Sequence, residues 1–233
     1  MVVIDPGPDV ENDVRALASH MASAERARIL LTHGHRDHAG AAGALSSLTG
    51  APIHAPAGME EYGVEGVDTV LRDGDVIETD AGTLRAVHTP GHTPEHLCFE
   101  WIERRALFAG DLVLGEGDTT WVAEYPGCVA DYLDAMERVR SLDLDVIYPA
   151  HGPPLNDPHQ TWDRFEGHRR ARIEQLRTAL AATPDATLDE LLDRVYGDRL
   201  PTGMRGPAGR SLGALVDYVQ GVRSVLHRSS ETE

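Results

Sequence analysis

The chain contains no lysine: among its 233 residues all 21 basic side chains are arginine, they face 38 acidic ones, and the formal net charge is -17. An acid excess of this size keeps a protein soluble by self-repulsion, and the same repulsion destabilises the compact state unless salt screens it. It also argues against strong affinity for a phosphate backbone. The pattern points to a salt-rich cytoplasm. A GC-rich genome would account for arginine in place of lysine but leaves the acid excess unexplained.

Long apolar runs are missing as well. No stretch approaches 18 uncharged apolar residues, and the start M-V-V-I-D-P-G-P has neither a charged leader nor a cleavage site, so the reading is a cytoplasmic protein without a membrane partner. Cysteine is scarce: Cys98 and Cys128 lie far apart and form no CxxC pair. Cys98, inside the apolar run L-C-F-E-W, reads as a small core residue rather than a ligand. The hydrophobic share of 41% is ample for one main domain with a small appendage.

Histidine is what the chain does have, twelve in all, and their placement is informative. T-H-G-H-R-D-H-A-G at 32–40 puts three imidazoles and a carboxylate directly after an apolar strand-like run, Arg28 to Leu31. His33 and His35 are two apart, so an extended or looping backbone can aim both at one cation. Asp37 and His38 sit past the turn and can reach a second. Imidazole nitrogen with carboxylate oxygen suits zinc, and the same ligand logic admits manganese or iron. His92, Asp111 and His151 each follow another apolar run, and rigid strand ends are where sites gather.

The blocks I-D-P-G-P at 4–8, T-H-G-H-R-D-H at 32–38, T-P-G-H-T at 89–93, F-A-G-D at 108–111 and P-A-H-G at 149–152 resemble the metallo-β-lactamase-fold hydrolases, over roughly residues 1–158. The resemblance implies an α/β fold, an αββα sandwich with metals at one sheet edge. It implies His33, His35 and His92 as ligands of a first metal, Asp37, His38 and His151 of a second, and Asp111 as the bridge. Asp37 would also orient the attacking water. Two cations about 3.5–4 Å apart can share a water and bring its pKa toward neutrality. With Asp37, Asp111 and one hydroxide the site would keep about one positive charge, which favours an anionic substrate or an oxyanion. Asp5 matches a family aspartate that accepts from a ligand imidazole, and reads equally as a turn residue before Pro6-Gly7. His96, four after His92, is open to a substrate contact or to a supporting role. Histidine at 35, where related di-iron flavoproteins carry glutamate, points to hydrolysis. Asp111 speaks against a dedicated antibiotic-cleaving enzyme and fits hydroxyacylglutathione hydrolases, lactonases and nucleases of the fold alike.

Periodicity predicts strands at 2–5, 28–32, 52–55 and 145–148, hairpins at 76–78/83–88 and 97–102/105–109, and helices at 9–25, 40–48 and 130–141. Family members usually carry two or more strands before the one ending in I-D-P-G. The expectation is therefore an uncovered sheet edge, a partly open core and a natural start upstream of Met1.

From residue 159 to 233 the pattern turns helical: a helix of about 20 residues, a capping box at Thr187 and Glu190, and a last helix over 210–226. This tail resembles the winged-helix-like module of a subgroup that includes endoribonucleases acting on single-stranded RNA. Arg164, Arg169, Arg170, Arg172 and Arg177 read as a solvated helix face paired with acids, with a nucleic-acid patch as the alternative. His54 and His88 read as structural, His20, His159, His168 and His227 as surface or helix residues, and Tyr148 as packing under the metals. The functional expectation is a binuclear zinc hydrolase, two Zn2+ per chain, acting on an ester, thioester or lactone of a small anionic metabolite. A metal-dependent endoribonuclease on single-stranded RNA is the alternative, and a non-catalytic binding module a third class. A homodimer is compatible with either.

Overall fold

The computed structural model describes residues 1–197, 200–201 and 203–222. Its first sheet is parallel throughout, in the order β1 (Val2–Ile4), β2 (Arg28–Leu30), β3 (Ile53–Ala55) and β4 (Val67–Val70). The second holds β5 (Val76–Thr79), β6 (Gly82–His88), β7 (Leu97–Trp101), β8 (Ala106–Gly110) and β9 (Val146–Pro149), antiparallel except for β8 with β9. Parallel neighbours cannot be joined by a tight hairpin, so crossover segments intervene. α1 (Glu11–Met21) links β1 to β2, α2 (Arg36–Ala39) and α3 (Ala42–Thr49) link β2 to β3, and α4 (Cys128–Arg140) links β8 to β9.

Alternation along the strands assigns the layers. Ile29 and Leu31 join Val14, Met21 and Leu45 in the core under α1 and α3, whereas Leu30 packs with Leu84, Ala86, Leu97 and Phe99 between the sheets. On the outer face of the second sheet, Val87, Cys98 and Leu107 meet Val129 and Met136 of α4 and Trp162 and Phe165 of α5 (Pro158–Ala182). Each fully buried side chain of this size contributes about 1.5–3 kcal/mol. The result is the αββα sandwich that the resemblance implied, and Cys98 sits in its core.

The tail is helical: α5 is followed by α6 (Leu188–Val195) and α7 (Arg205–Val219). Asp157 caps α5 by accepting from the Gln160 N–H, and Thr187 with Glu190 forms the capping box of α6. Leu191 and Leu192 of α6 and Leu212 and Leu215 of α7 belong to the same apolar cluster as β8 and α4, so tail and sandwich share one core. Among the described residues the tail contains no strand.

Some boundaries differ from the sequence expectation. α1 is shorter at both ends, since Val10 precedes the helix and is exposed. α7 starts at Arg205 rather than 210, because Pro207 lies in its first turn, where a missing N–H costs nothing. Residues 223–226 of the expected last helix, and His227, lie outside the described residues. β4 was not anticipated: three of its four residues are exposed, so it lacks the alternation that marks a strand. β1 is an edge strand. Between it and the second sheet lies a cavity of about 670 Å³ lined by Val2, Ile4, Leu84, Trp101, Phe108 and Tyr148 among others.

Candidate metal centre

Seven side chains named from the sequence come together where strand ends meet, although they are spread from residue 33 to 151. His33 and His35 leave the end of β2, Asp37 and His38 belong to α2, His92 follows β6, Asp111 follows β8, and His151 follows β9. His35 Nδ1 lies 3.1 Å from His33 Nε2 and 3.0 Å from His92 Nε2, so three ring nitrogens face one point. His151 Nε2 lies 3.3 Å from His38 Nε2 and 3.2 Å from Asp37 Oδ2. Asp111 stands between the two groups. Its Oδ2 is 3.5 Å from His92 Nε2, while its Oδ1 is 3.5 Å from both His38 Nε2 and His151 Nε2. Asp111 Oδ1 is also buried without a hydrogen-bond partner. Nitrogen lone pairs and carboxylate oxygens converging at these distances, with an orphaned acceptor among them, suit divalent cations rather than hydrogen bonding. His33–His35–His92 and Asp37–His38–His151 each form a group able to hold one.

The outer ring nitrogens explain why the inner ones are free. His33 Nδ1 donates to Thr32 Oγ1 at 2.9 Å, and the Thr32 hydroxyl donates to Asp5 Oδ2 at 2.6 Å. His38 Nδ1 donates to the same Asp5 oxygen at 2.9 Å, and Asp5 Oδ1 accepts the Thr32 N–H at 2.8 Å. Asp5 thus orients two imidazoles, one directly and one through Thr32. His92 Nδ1 donates to the Trp121 carbonyl at 2.8 Å, and His35 Nε2 to Glu124 Oε1 at 2.9 Å. Buried His96 lies behind Asp111: it accepts the Asp111 backbone N–H at 3.1 Å through Nε2 and bonds Thr89 Oγ1 through Nδ1 at 2.9 Å. Its place is structural support, away from the open face.

Electrostatics follow the same layout. Burial, reinforced by neighbouring imidazoles, holds His33 and His96 neutral, and burial does so for His92 against the pull of Asp111. Burial opposes charge on His38 too, yet the nearby Asp111 carboxylate and the hydrogen-bonded Asp5 carboxylate carry its pKa up to about 10. The hydrogen bond to Glu124 raises His35. Burial pushes the Asp111 carboxyl up, and the surrounding His38, His92 and His151 overcome it, bringing the group down to about 2.

Four participants went unseen in the sequence: Thr32, Glu124, Tyr62 and Glu95. Thr32 stands next to the H-G-H block, a signal that could have found it. Glu95 accepts from the Gly34 N–H at 3.2 Å and from the Tyr62 hydroxyl at 3.1 Å, and a Cβ on Gly34 would collide with the Tyr62 ring. Tyr148 stacks its ring on Phe108 at 5.4 Å and lines the cavity beside β1, whose wall also includes Asp37, His38 and His151. His88 is structural, bonding the Pro94 carbonyl at 2.9 Å.

The model of the metallo-β-lactamase superfamily matches residues 2–151, and the chain belongs to that superfamily. It is 31% identical to a β-lactamase-like protein 2 homolog of Caenorhabditis elegans, over 84% of this chain and 67% of that protein. It is also 31% identical to an atrochrysone carboxyl ACP thioesterase of Aspergillus fumigatus, over 74% of this chain and 56% of the relative. The chain thus spans roughly half to two thirds of the length of these relatives. Among solved structures, a metallo-β-lactamase family protein of Thermus thermophilus superposes with a TM-score of 0.72 at 25% identity, covering 94% of this chain and 83% of that one. Among the described residues no helix is long and apolar enough to cross a membrane.

Proposed function

We propose that the chain is a binuclear zinc hydrolase of esters, thioesters or lactones of small anionic metabolites, with thioesters the first class to test. The observation that carries this is the two-sided placement of Asp111, one oxygen toward His92 and the other toward His38 and His151. His33, His35 and His92 would hold one cation, Asp37, His38 and His151 the other, and Asp111 both. Two such cations supply Lewis acidity at a carbonyl and acidify a water. Asp37 and His151 are about half exposed, so substrate approaches from their side, while His33 and His92 stay buried behind. The thioesterase name of a relative supports the substrate class.

The tail arginines weigh against the RNA reading. Arg169 is buried, Arg170 and Arg177 face Glu166 and Glu174, and Arg172 lies over the Tyr196 ring. Arg164 lies over the Phe165 ring, so paired or stacked arginines on α5 support the solvated-face reading over a phosphate-binding one.

The test is turnover of a short acyl-thioester series, followed by released thiol, with single-stranded RNA in parallel and Asp37→Ala as control. Thioester cleavage that falls by orders of magnitude in the folded variant is the expected result. RNA cleavage without thioester turnover, or a variant as active as the parent, would overturn the reading.

A further inference from the structure

Residues 119–124 form neither helix nor strand, yet three candidate ligands lean on them. The Trp121 carbonyl accepts from His92 Nδ1 at 2.8 Å, Glu124 Oε1 from His35 Nε2 at 2.9 Å, and Thr120 Oγ1 donates to the Asp111 carbonyl at 2.8 Å. A segment without its own backbone ladder must be held in place from outside, and here the tail holds it.

Arg169 of α5 is 3% exposed, and its hydrogen bonds go to Thr119 Oγ1 at 3.5 Å and to the segment's backbone rather than to a carboxylate. Its Nη2 donates to the Thr120 carbonyl at 3.0 Å, its guanidinium lies 5.2 Å from the centre of the Tyr132 ring, and its Nε is buried without a partner. Burying an arginine with so few acceptors is costly, and a position that merely filled the core would be better served by an apolar side chain. A second arginine acts one residue further on: Arg210 of α7 lies over the Trp121 ring at 5.2 Å. Val122, the next residue, is fully buried in the core shared with the tail helices.

We infer that residues 119–124 are a strap that sets the tautomer and tilt of His35 and His92, and that Arg169, from the helical tail, is a positioning residue for the metal centre through it. With Nε2–H directed at Glu124, His35 presents Nδ1 inward. With Nδ1–H directed at the Trp121 carbonyl, His92 presents Nε2 inward. The tail thereby belongs to the metal centre, and is more than an appended module. This rests on the reading of His35 and His92 as ligands.

The experiment is a cobalt titration of chelator-stripped full chain, reading both the dissociation constant and the visible d–d band. The variants are Arg169→Met, Arg169→Lys, Glu124→Gln and, as a control, His35→Ala. Outer partners of ligand imidazoles are worth 10–100-fold in metal affinity. Glu124→Gln should fall in that range, and Arg169→Met near its lower end, both with a displaced band; Arg169→Lys should recover part of the loss. A merely structural arginine would lower the unfolding midpoint but leave the band where it was. Folded Arg169→Met and Glu124→Gln proteins that bind within twofold of the parent, with unshifted spectra, overturn the inference. Should Arg169→Met not fold, Arg210→Gln at the exposed anchor takes its place with the same two readouts. If His35→Ala binds cobalt like the parent, the ligand assignment itself fails, which keeps the two failures distinct.

Discussion

Asp5→Asn should damage both halves of the metal centre at once. One carboxylate with 9% of its side chain exposed accepts three hydrogen bonds: the Thr32 N–H at 2.8 Å, the Thr32 hydroxyl at 2.6 Å and His38 Nδ1–H at 2.9 Å. An amide offers one oxygen and turns a donor toward the remaining donors, so at least one buried bond to a charged acceptor is lost, about 1.5–3 kcal/mol. Metal affinity should fall by about 10–100-fold, equivalent to about 1.4–2.7 kcal/mol, because His38 loses its direct partner and His33 its relay through Thr32. Thr32→Val is the companion variant: it breaks the relay to His33 and leaves the bond between His38 and Asp5 intact. Zinc titration against a chromophoric chelator should show both steps weakened in Asp5→Asn, and mainly the step that involves His33 weakened in Thr32→Val. If Asp5→Asn takes up two zinc ions within twofold of the parent affinity, the relay has no energetic weight and the reasoning fails.

Three further outcomes are expected. In chelator-treated protein His38 is raised from 6.5 to about 10, against the cost of burial, by the neighbouring Asp111 and Asp5 carboxylates. A raised pKa stabilises the fold fully below the unfolded value and ceases to do so as pH climbs through the folded one, so denaturant stability should decline between about pH 6.5 and 10; no decline there would refute the linkage. Gly110→Ala should destabilise the protein by about 1–3 kcal/mol and loosen the metal site, because Gly110 has φ +49° and a Cβ would lie 2.6 Å from His96 Nε2 and 2.8 Å from Thr32 Oγ1; an unchanged unfolding midpoint would count against the packing argument. With a net charge of -17, the protein should unfold at low ionic strength and recover in molar potassium chloride, and circular dichroism indifferent to salt would sink the salt adaptation.

By itself the sequence determined the chemistry that is local. Histidines two residues apart in H-G-H, a carboxylate and an imidazole just beyond, and further ligand types after later apolar runs are legible because a metal site demands particular atoms at strand ends. Layer order came from the structure: Ile29, Leu30 and Leu31 are all apolar, and only the folded strand shows Ile29 and Leu31 on one face and Leu30 on the other. Where alternation fails, as in exposed β4, the reading failed too. Only the tertiary structure decided what stands behind the ligands. Asp5 was open between turn residue and hydrogen-bond acceptor, and His96 between substrate contact and support, because each depends on a partner distant in the chain. Glu124 and Arg169 carry no spacing signal: a loop glutamate and a helical arginine are ordinary residues until folding brings them against a particular ring nitrogen or carbonyl. Ligand identity is a property of residue type and local spacing, whereas orientation belongs to long-range hydrogen bonds, and those exist only once the two sheets and the tail share a core.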